Sequence, residues 1–357
     1  MTATTELNFT ATGDRRARAR ATQAALLAVL ILTMLISLGW GSASDTDVIG
    51  ALLAKFGVGS ASVRDITIIW DIRMPRMVTG ALVGAALAVS GAVMQGLFRN
   101  PLADPGLVGI SAGASLGAVA AIVLGGLLPL GLQVAAGPYL VPFAAFAGGW
   151  CATLVLYRVA TRRGQTSVAT MLLAGIALGA LTGALTGFIV YRASDDQLRD
   201  LTFWSMGSVA GATWTKLFAA GPIILAALLA APFLARALDA LALGEAVATH
   251  LGIDVQRMKR ISILSVAGSV GASVAITGGI GFVGIVVPHI LRLVQGPEHK
   301  LLLPNSAILG AIILMIADMI SRTIVAPAEL PIGIVTAVLG GPFFLWVLLK
   351  NRSLLEA

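Results

Sequence analysis

The sequence predicts an all-α membrane protein with about ten transmembrane helices, and three observations predict it. Apolar runs long enough to cross a bilayer core, roughly 20 residues each, fill nearly all of the chain. Of its 357 residues 57% are hydrophobic and 11% charged, with a mean hydropathy of +0.93, whereas a soluble domain carries roughly 25% charged residues. Glycine and alanine recur at helical spacing, and the alternation of an outer-membrane barrel is missing.

The spans follow in order. The first covers 23–42; Arg15, Arg16, Arg18 and Arg20 precede it as in a secretion signal, but the apolar stretch is long and many more follow, so it reads as an uncleaved helix after a tail at 1–22. The second, 75–98, carries Gly80, Gly84, Ala88 and Gly91, a small-residue ridge that lets another backbone approach closely. Pro101, Pro105 and Gly106 break the chain before the third, 106–128. The fourth, 138–158, holds the only cysteine, Cys151, so no disulfide or thiolate metal site is expected within the chain, and with no HExxH and no cluster of His and carboxylates on one helix face no other metal site is expected. In the fifth, 169–191, Gly175, Gly179, Gly183 and Gly187 stand four apart, either as a packing ridge or as a smooth wall along a pathway. The sixth to tenth spans are 217–237, 258–276, 280–295, 304–324 and 331–349, leaving a tail at 350–357. The whole is one transmembrane domain, 23–349.

Ten crossings return the C-terminus to the side of the N-terminus. Sixteen of the 24 Lys and Arg residues then fall on that side, which by the positive-inside rule is the cytoplasm. The sequence pI near 10.2 reflects this orientation signal; the bases are scattered and lack interleaved aromatics, which excludes a nucleic-acid surface. Of the large polar breaks, 43–72 and 192–216 lie outside, the latter with Trp204 and Trp214 suited to an interfacial helix. Inside, 238–257 reads as two short helical pieces punctuated by Gly244 and Gly252. The stretches at 95–118 and 295–311 echo one another; if helices two to five recur as seven to ten, the offset of five crossings makes an inverted repeat of the transporter type.

The segment 70–114, WDIRMPRMVTGALVGAALAVSGAVMQGLFRNPLADPGLVGISAGA, leads to a family. With MLLAGIALG (171–179), LALGE (241–245), GFVGIVVPHILRL (281–293), LLLPNSAILGA (301–311) and the run from Ile316 to Leu349, it closely resembles the FecCD class of bacterial permeases. These are type II ABC importers of iron complexes and vitamin B12. The resemblance implies a homodimer around a central pathway in the inner membrane, two ABC ATPase subunits beneath and a periplasmic substrate-binding protein above. No G-x-x-x-x-G-K-[ST] loop occurs, so ATP and Mg belong to the partner subunit and this chain is not itself an enzyme.

Carried over residue by residue, the resemblance makes Arg73, Arg76 and Arg322 partners for carboxylates of the binding protein. Arginine suits that task because its planar fork holds a carboxylate bidentately. It makes 241–257 the ATPase-coupling loop, with Leu241, Leu243, Gly244, Glu245, Val247, His250, Leu251 and Gly252. A loop so apolar leaves hydrophobic surface exposed unless a partner covers it. Thr166, Ser167, Val168 and Ala169 correspond to the cytoplasmic gate, and Gly175, Gly179, Gly183 and Gly187 to the pathway lining. Asp318 is the main ionisable residue inside an apolar span; it reads either as a proton relay or as a structural partner of Arg322 one turn on. Glu329 lies in AELPIG, where it would fix loop geometry.

Residues 96–114 most resemble the haem-importing branch, which makes haem the expected cargo, followed by a ferric siderophore and then cobalamin. None of the histidines His250, His289 and His299 is placed to ligate haem iron; weak holding suits a pathway that must also release. A secondary transporter driven by an ion gradient also accounts for the spans, the repeat and Asp318, but gives the apolar inner loop no role.

Overall fold

A computed structural model describes residues 11–41, 45–58 and 60–350. The parts of the predicted tails at 1–10 and 351–357 lie outside the described residues. Among those described are fifteen α-helices: α1 (Ala11–Gly39), α2 (Val48–Ala54), α3 (Val63–Ile66), α4 (Met74–Phe98), α5 (Ile110–Leu124), α6 (Leu130–Ala136), α7 (Leu140–Ala160), α8 (Val168–Val190), α9 (Asp195–Met206), α10 (Trp214–Ala242), α11 (Glu245–His250), α12 (Val255–Thr277), α13 (Val283–Gln295), α14 (His299–Ser321) and α15 (Ile332–Lys350). A two-residue hairpin, β1 (Thr161–Arg162) and β2 (Gln165–Thr166), separates α7 from α8.

All ten predicted spans are helices. Eight are long and apolar enough to cross a membrane, while α13 and α15 supply shorter apolar helices. Two boundaries differ from the sequence reading. Helix α1 begins at Ala11, so part of the predicted tail is its first turns. The second span starts well before residue 75, because α3, a π-helical stretch Thr67–Arg73 and α4 run on as one rod, Val63–Phe98. The predicted outer loop at 43–72 is therefore partly helical. Below, the end at which α1 finishes and α4 starts is called outer, and the opposite end inner.

Helix α4 is the centre: four-fifths of its most apolar window is buried, 83%, the largest share of the eight. Lipid supplies no hydrophobic drive between helices, so small residues must bring backbones into van der Waals contact. The ridge on α4 does this. A Cβ on Gly84 would strike the Gly310 carbonyl of α14, and one on Gly91 the Gly284 carbonyl of α13. Helices α5 and α7 meet the same way, through Gly113 against Gly148 and Gly117 against Ala144.

The packing has the symmetry of an inverted repeat. Helix α4 lies against α14 and α13 as α12 lies against α7 and α5, and α5, α7 and α8 touch one another as α13, α14 and α15 do. Helices α5 and α13 each start after a left-handed residue, Gly109 (φ 75) and Phe282 (φ 68). The sequence echo does not carry this repeat. Its two glutamines, Gln95 and Gln295, close α4 and α13, which are not equivalent under the exchange. Gly279, Gly281 and Gly284 form a G-x-G-x-x-G spacing, but it joins two helices, and dinucleotide binding requires a preceding strand.

At the outer end the connections stitch to the rods. Trp214 Nε1 donates to Trp70 O at 2.7 Å, and Trp70 Nε1 to Ala51 O at 3.0 Å. Helix α9 starts in a capping box of Ser194 and Gln197, and Gln197 Nε2 donates to Ile122 O and Val123 O.

The glycine contacts make a paired expectation. Gly84→Leu should lower stability by about 1–3 kcal/mol through overpacking, read as an earlier thermal transition in detergent. Gly183→Leu on α8, where no atom lies within 4 Å of the added Cβ, should stay within about 0.5 kcal/mol of the parent. Equal losses at the two positions would contradict the assignment of α4 as the packed centre.

Candidate functional site

Three groups of predicted site residues are brought to two ends of the molecule. At the outer end Arg73 closes the π-helical stretch and Arg76 lies in the first turn of α4, while Arg322 caps α14. All three are buried, none more than 8% exposed. Arg73 Nη1 donates to Leu38 O at 2.6 Å and to Gly39 O at 3.2 Å. Arg322 Nη2 donates to Ser37 O at 2.8 Å. Both thus satisfy carbonyls at the end of α1, which the end of a helix leaves without intrahelical partners.

Arg76 is the hub. Its Nε donates to the two oxygens of Asp318 at 2.9 and 3.1 Å, and its Nη1 to those of Glu329 at 2.8 and 3.0 Å. Asp318 sits 3.9 Å from Arg322 Nε, beyond hydrogen-bond reach, so its strong partner is Arg76 and not the residue one turn away. Asp318 thus pairs with Arg76, joining α14 to α4, and Glu329 ties the loop before α15 to α4.

The inner end holds the other two groups. Helix α10 runs on to Ala242, then Gly244 (φ 111) turns the chain into α11, and Gly252 (φ 80) turns it towards α12. Both turns need backbone that glycine adopts without strain. The predicted pair of short helices is thus a single one, because α10 absorbs the first piece. Leu241 also departs from expectation: at 2% exposure it belongs to the core and not to a docking face. Leu243 (67% exposed), Val247 and Leu251 do point outward, with His250 and Gly252 exposed beside them, while Ala248 anchors α11 inward.

The segment expected to form the gate starts at the end of a hairpin that sequence reading missed. Arg163 and Gly164 both take positive φ, 51° and 78°, as a two-residue type I′ hairpin turn requires; Gly164 between Thr161 and Thr166 was the only local signal. Thr166 is buried, Ser167 caps α8 by accepting from Thr170 N at 3.2 Å, and Ser167 and Ala169 are exposed with Val168 half-buried. A second missed residue joins the hairpin to α11. Lys259 of α12 donates from Nζ to Glu245 Oε1 at 2.7 Å and to Thr166 O at 2.8 Å. Thr166 N in turn donates to Gln256 Oε1 at 2.9 Å. The sequence QRMKR gave no hint of this, since its bases read as a cytoplasmic anchor.

The glycines of α8 are open. No atom lies within 4 Å of a Cβ placed on Gly179, Gly183 or Gly187, Gly175 is half-buried, and α8 has the smallest buried share of the eight long spans, 11%. Within the chain Gly183 and Gly187 lie exposed on α8, with Gly175 and Gly179 half-buried beside them.

Comparison with known proteins agrees with this architecture. The FecCD transport family matches residues 26–350. The chain is 43% identical over 334 residues to the hemin transport system permease protein HmuU of Yersinia pestis, covering 93% of this chain and 97% of that one. It is 46% identical over 300 residues to the cobalamin import system permease protein BtuC of Halobacterium salinarum, covering 84% and 77%. Among solved structures, an inward-facing metal-chelate type ABC transporter superposes with TM-score 0.79 at 30% identity, covering 91% of this chain and 98% of that one.

The outer cluster makes a prediction about stability. Arg76→Met should destabilise the protein by about 3–5 kcal/mol, because it strands a buried carboxylate. Adding Asp318→Leu should recover at least half of the loss. Thermal melts of the single and double variants in detergent check this; an additive loss in the double variant would show that Asp318 does not depend on Arg76.

Proposed function

Because the chain belongs to the FecCD transport family, we propose that it is the membrane permease of an ATP-driven importer, that two copies line one pathway, and that haem is what they move. The observation that carries the first part is α11, a six-residue helix held between two glycine turns with Leu243, Val247 and Leu251 directed outward. Exposed apolar side chains on so small and fixed an element suit a socket in a partner. Two ABC ATPase subunits, holding ATP and Mg, would supply that socket, and this chain carries no phosphate loop of its own.

The likeness to the hemin permease of Yersinia pestis across nearly the full length of both chains supports haem. The likeness to the cobalamin permease of Halobacterium salinarum supports cobalamin as the second reading. The open glycine face of α8 supports a second copy across the pathway: Gly175, Gly179, Gly183 and Gly187 would leave room for a large planar cargo. Thr166, Ser167, Val168 and Ala169 would close that pathway at its inner end, acting as a segment. The inner bacterial membrane is the setting, with both termini cytoplasmic by the charge asymmetry of the loops.

Docking of the periplasmic binding protein falls to Arg73, Arg76 and Arg322, with one change from the sequence reading. These side chains are already engaged, so an incoming carboxylate would share Arg76 with Glu329 or displace it, the Glu329 side chain being partly exposed. The loaded binding protein docks there, ATP closes the ATPases, and α11 conveys the motion to the gate in a cycle of alternating access.

Two outcomes follow. In proteoliposomes holding this chain and its ATPase, with ATP inside, haem on its binding protein should accumulate while ferric siderophore and cobalamin do not; uptake without the ATPase would sink the importer reading. Glu329→Gln should tighten binding-protein docking several-fold at low salt, since it removes a competing carboxylate; unchanged or weaker docking would take Arg76 out of that interface.

A further inference from the structure

We propose that Lys259 is the positioning residue through which displacement of α11 reaches the gate hairpin; this rests on α11 being the ATPase dock. Lys259 lies in the second turn of α12 and is 2% exposed. A buried ammonium is costly unless paired, and its two partners belong to two other elements: Glu245, the first residue of α11, and Thr166, the last of β2.

The link is asymmetric. The Glu245 side chain is 44% exposed, so water can solvate its carboxylate when α11 moves. Lys259 has no such recourse. If α11 is drawn away while the hairpin stays, the ammonium loses its counter-ion and keeps only the Thr166 carbonyl. That arrangement is penalised, because a buried charge that loses its counter-ion bears its desolvation cost alone. The lower path is for α11, Lys259 and the hairpin to shift together.

The hairpin end is clamped for that purpose. Both backbone polar groups of Thr166 go to α12, its N–H to Gln256 Oε1 and its C=O to Lys259 Nζ. Gln256 and Lys259 stand three apart and so share a face of the helix. Ser167, which caps α8, follows directly. Movement of Thr166 therefore moves the start of the helix whose glycine face is open. Between the hairpin and α11 lies a cavity of about 1300 Å³, lined by Arg162, Gln165, Thr249 and Asp254 among others, so the two elements touch through α12 and not through a packed interface of their own.

The test reads gate motion and does not depend on cargo. In a Cys151→Ser background, a nitroxide at Arg163→Cys reports the distance between the hairpins of two copies in the assembled complex with its ATPase, with and without ATP and vanadate. The parent should show an ATP-driven change. Lys259→Met should lose most of it, with the ratio of shifted to unshifted population under ATP and vanadate reduced roughly tenfold, the scale of one lost charged hydrogen bond. Lys259→Arg should restore at least half. Should Lys259→Met fail to assemble, Gln256→Met should weaken the response in the same sense. A full response in Lys259→Met, or a loss that Lys259→Arg does not rescue, overturns the assignment. No response in the parent, or one without the ATPase, fells the docking reading itself and the link with it.

Discussion

Helices surrounded by lipid gain nothing from hiding apolar side chains from one another, so this fold depends on the closeness of backbones. Gly84 against Gly310 and Gly91 against Gly284 place α4 in direct contact with α14 and α13, and the analogous glycines of α5 and α7 hold the other half. Because both halves turn about α4 and α12, those two rods are the most deeply buried of the long spans. What they do not cover, the face of α8, is left for lipid or for a second copy.

Ion pairs gather at the two ends, and at each end one buried cation bonds to two other elements. Outside, Arg76 gathers Asp318 and Glu329, joining α4, α14 and the loop before α15. Inside, Lys259 gathers Glu245 and Thr166, joining α12, α11 and the hairpin. Such pairs add little net stability, because desolvation offsets attraction, yet removing one partner is expensive. Their value is therefore geometric. Each fixes three elements to one point, with the exposed carboxylate, Glu329 or Glu245, on the side where a partner would approach.

The spans, their number and the arginines of the outer cluster were legible because each is local: apolar length sets a helix, and a basic residue at its end stands out against it. Partners were not. Asp318 looked as if it belonged to Arg322 one turn away, but the end of α14 lies against the start of α4, so its carboxylate meets a guanidinium 242 residues distant. Leu241 looked like docking surface because the loop was read as starting there; α10 extends further and buries it. The hairpin and Lys259 escaped for a common reason. A four-residue β-turn among helices has almost no periodicity to detect, and a lysine near a helix end reads as an anchor until the element it supports is known.

The short helix α11 explains why a rigid link is needed. Coupling between distant sites requires an element with two discrete arrangements that both sites bias. A six-residue helix between glycine turns can rock as a body, but Gly244 and Gly252 also decouple it from α10 and α12. Backbone alone would let α11 move without consequence. A side-chain bond from the core helix to its first residue, Lys259 to Glu245, supplies a connection of its own, and the proposed link rests on a buried ammonium being costly to leave unpaired. On the proposed reading, the glycines that free α11 are what give the lysine its role.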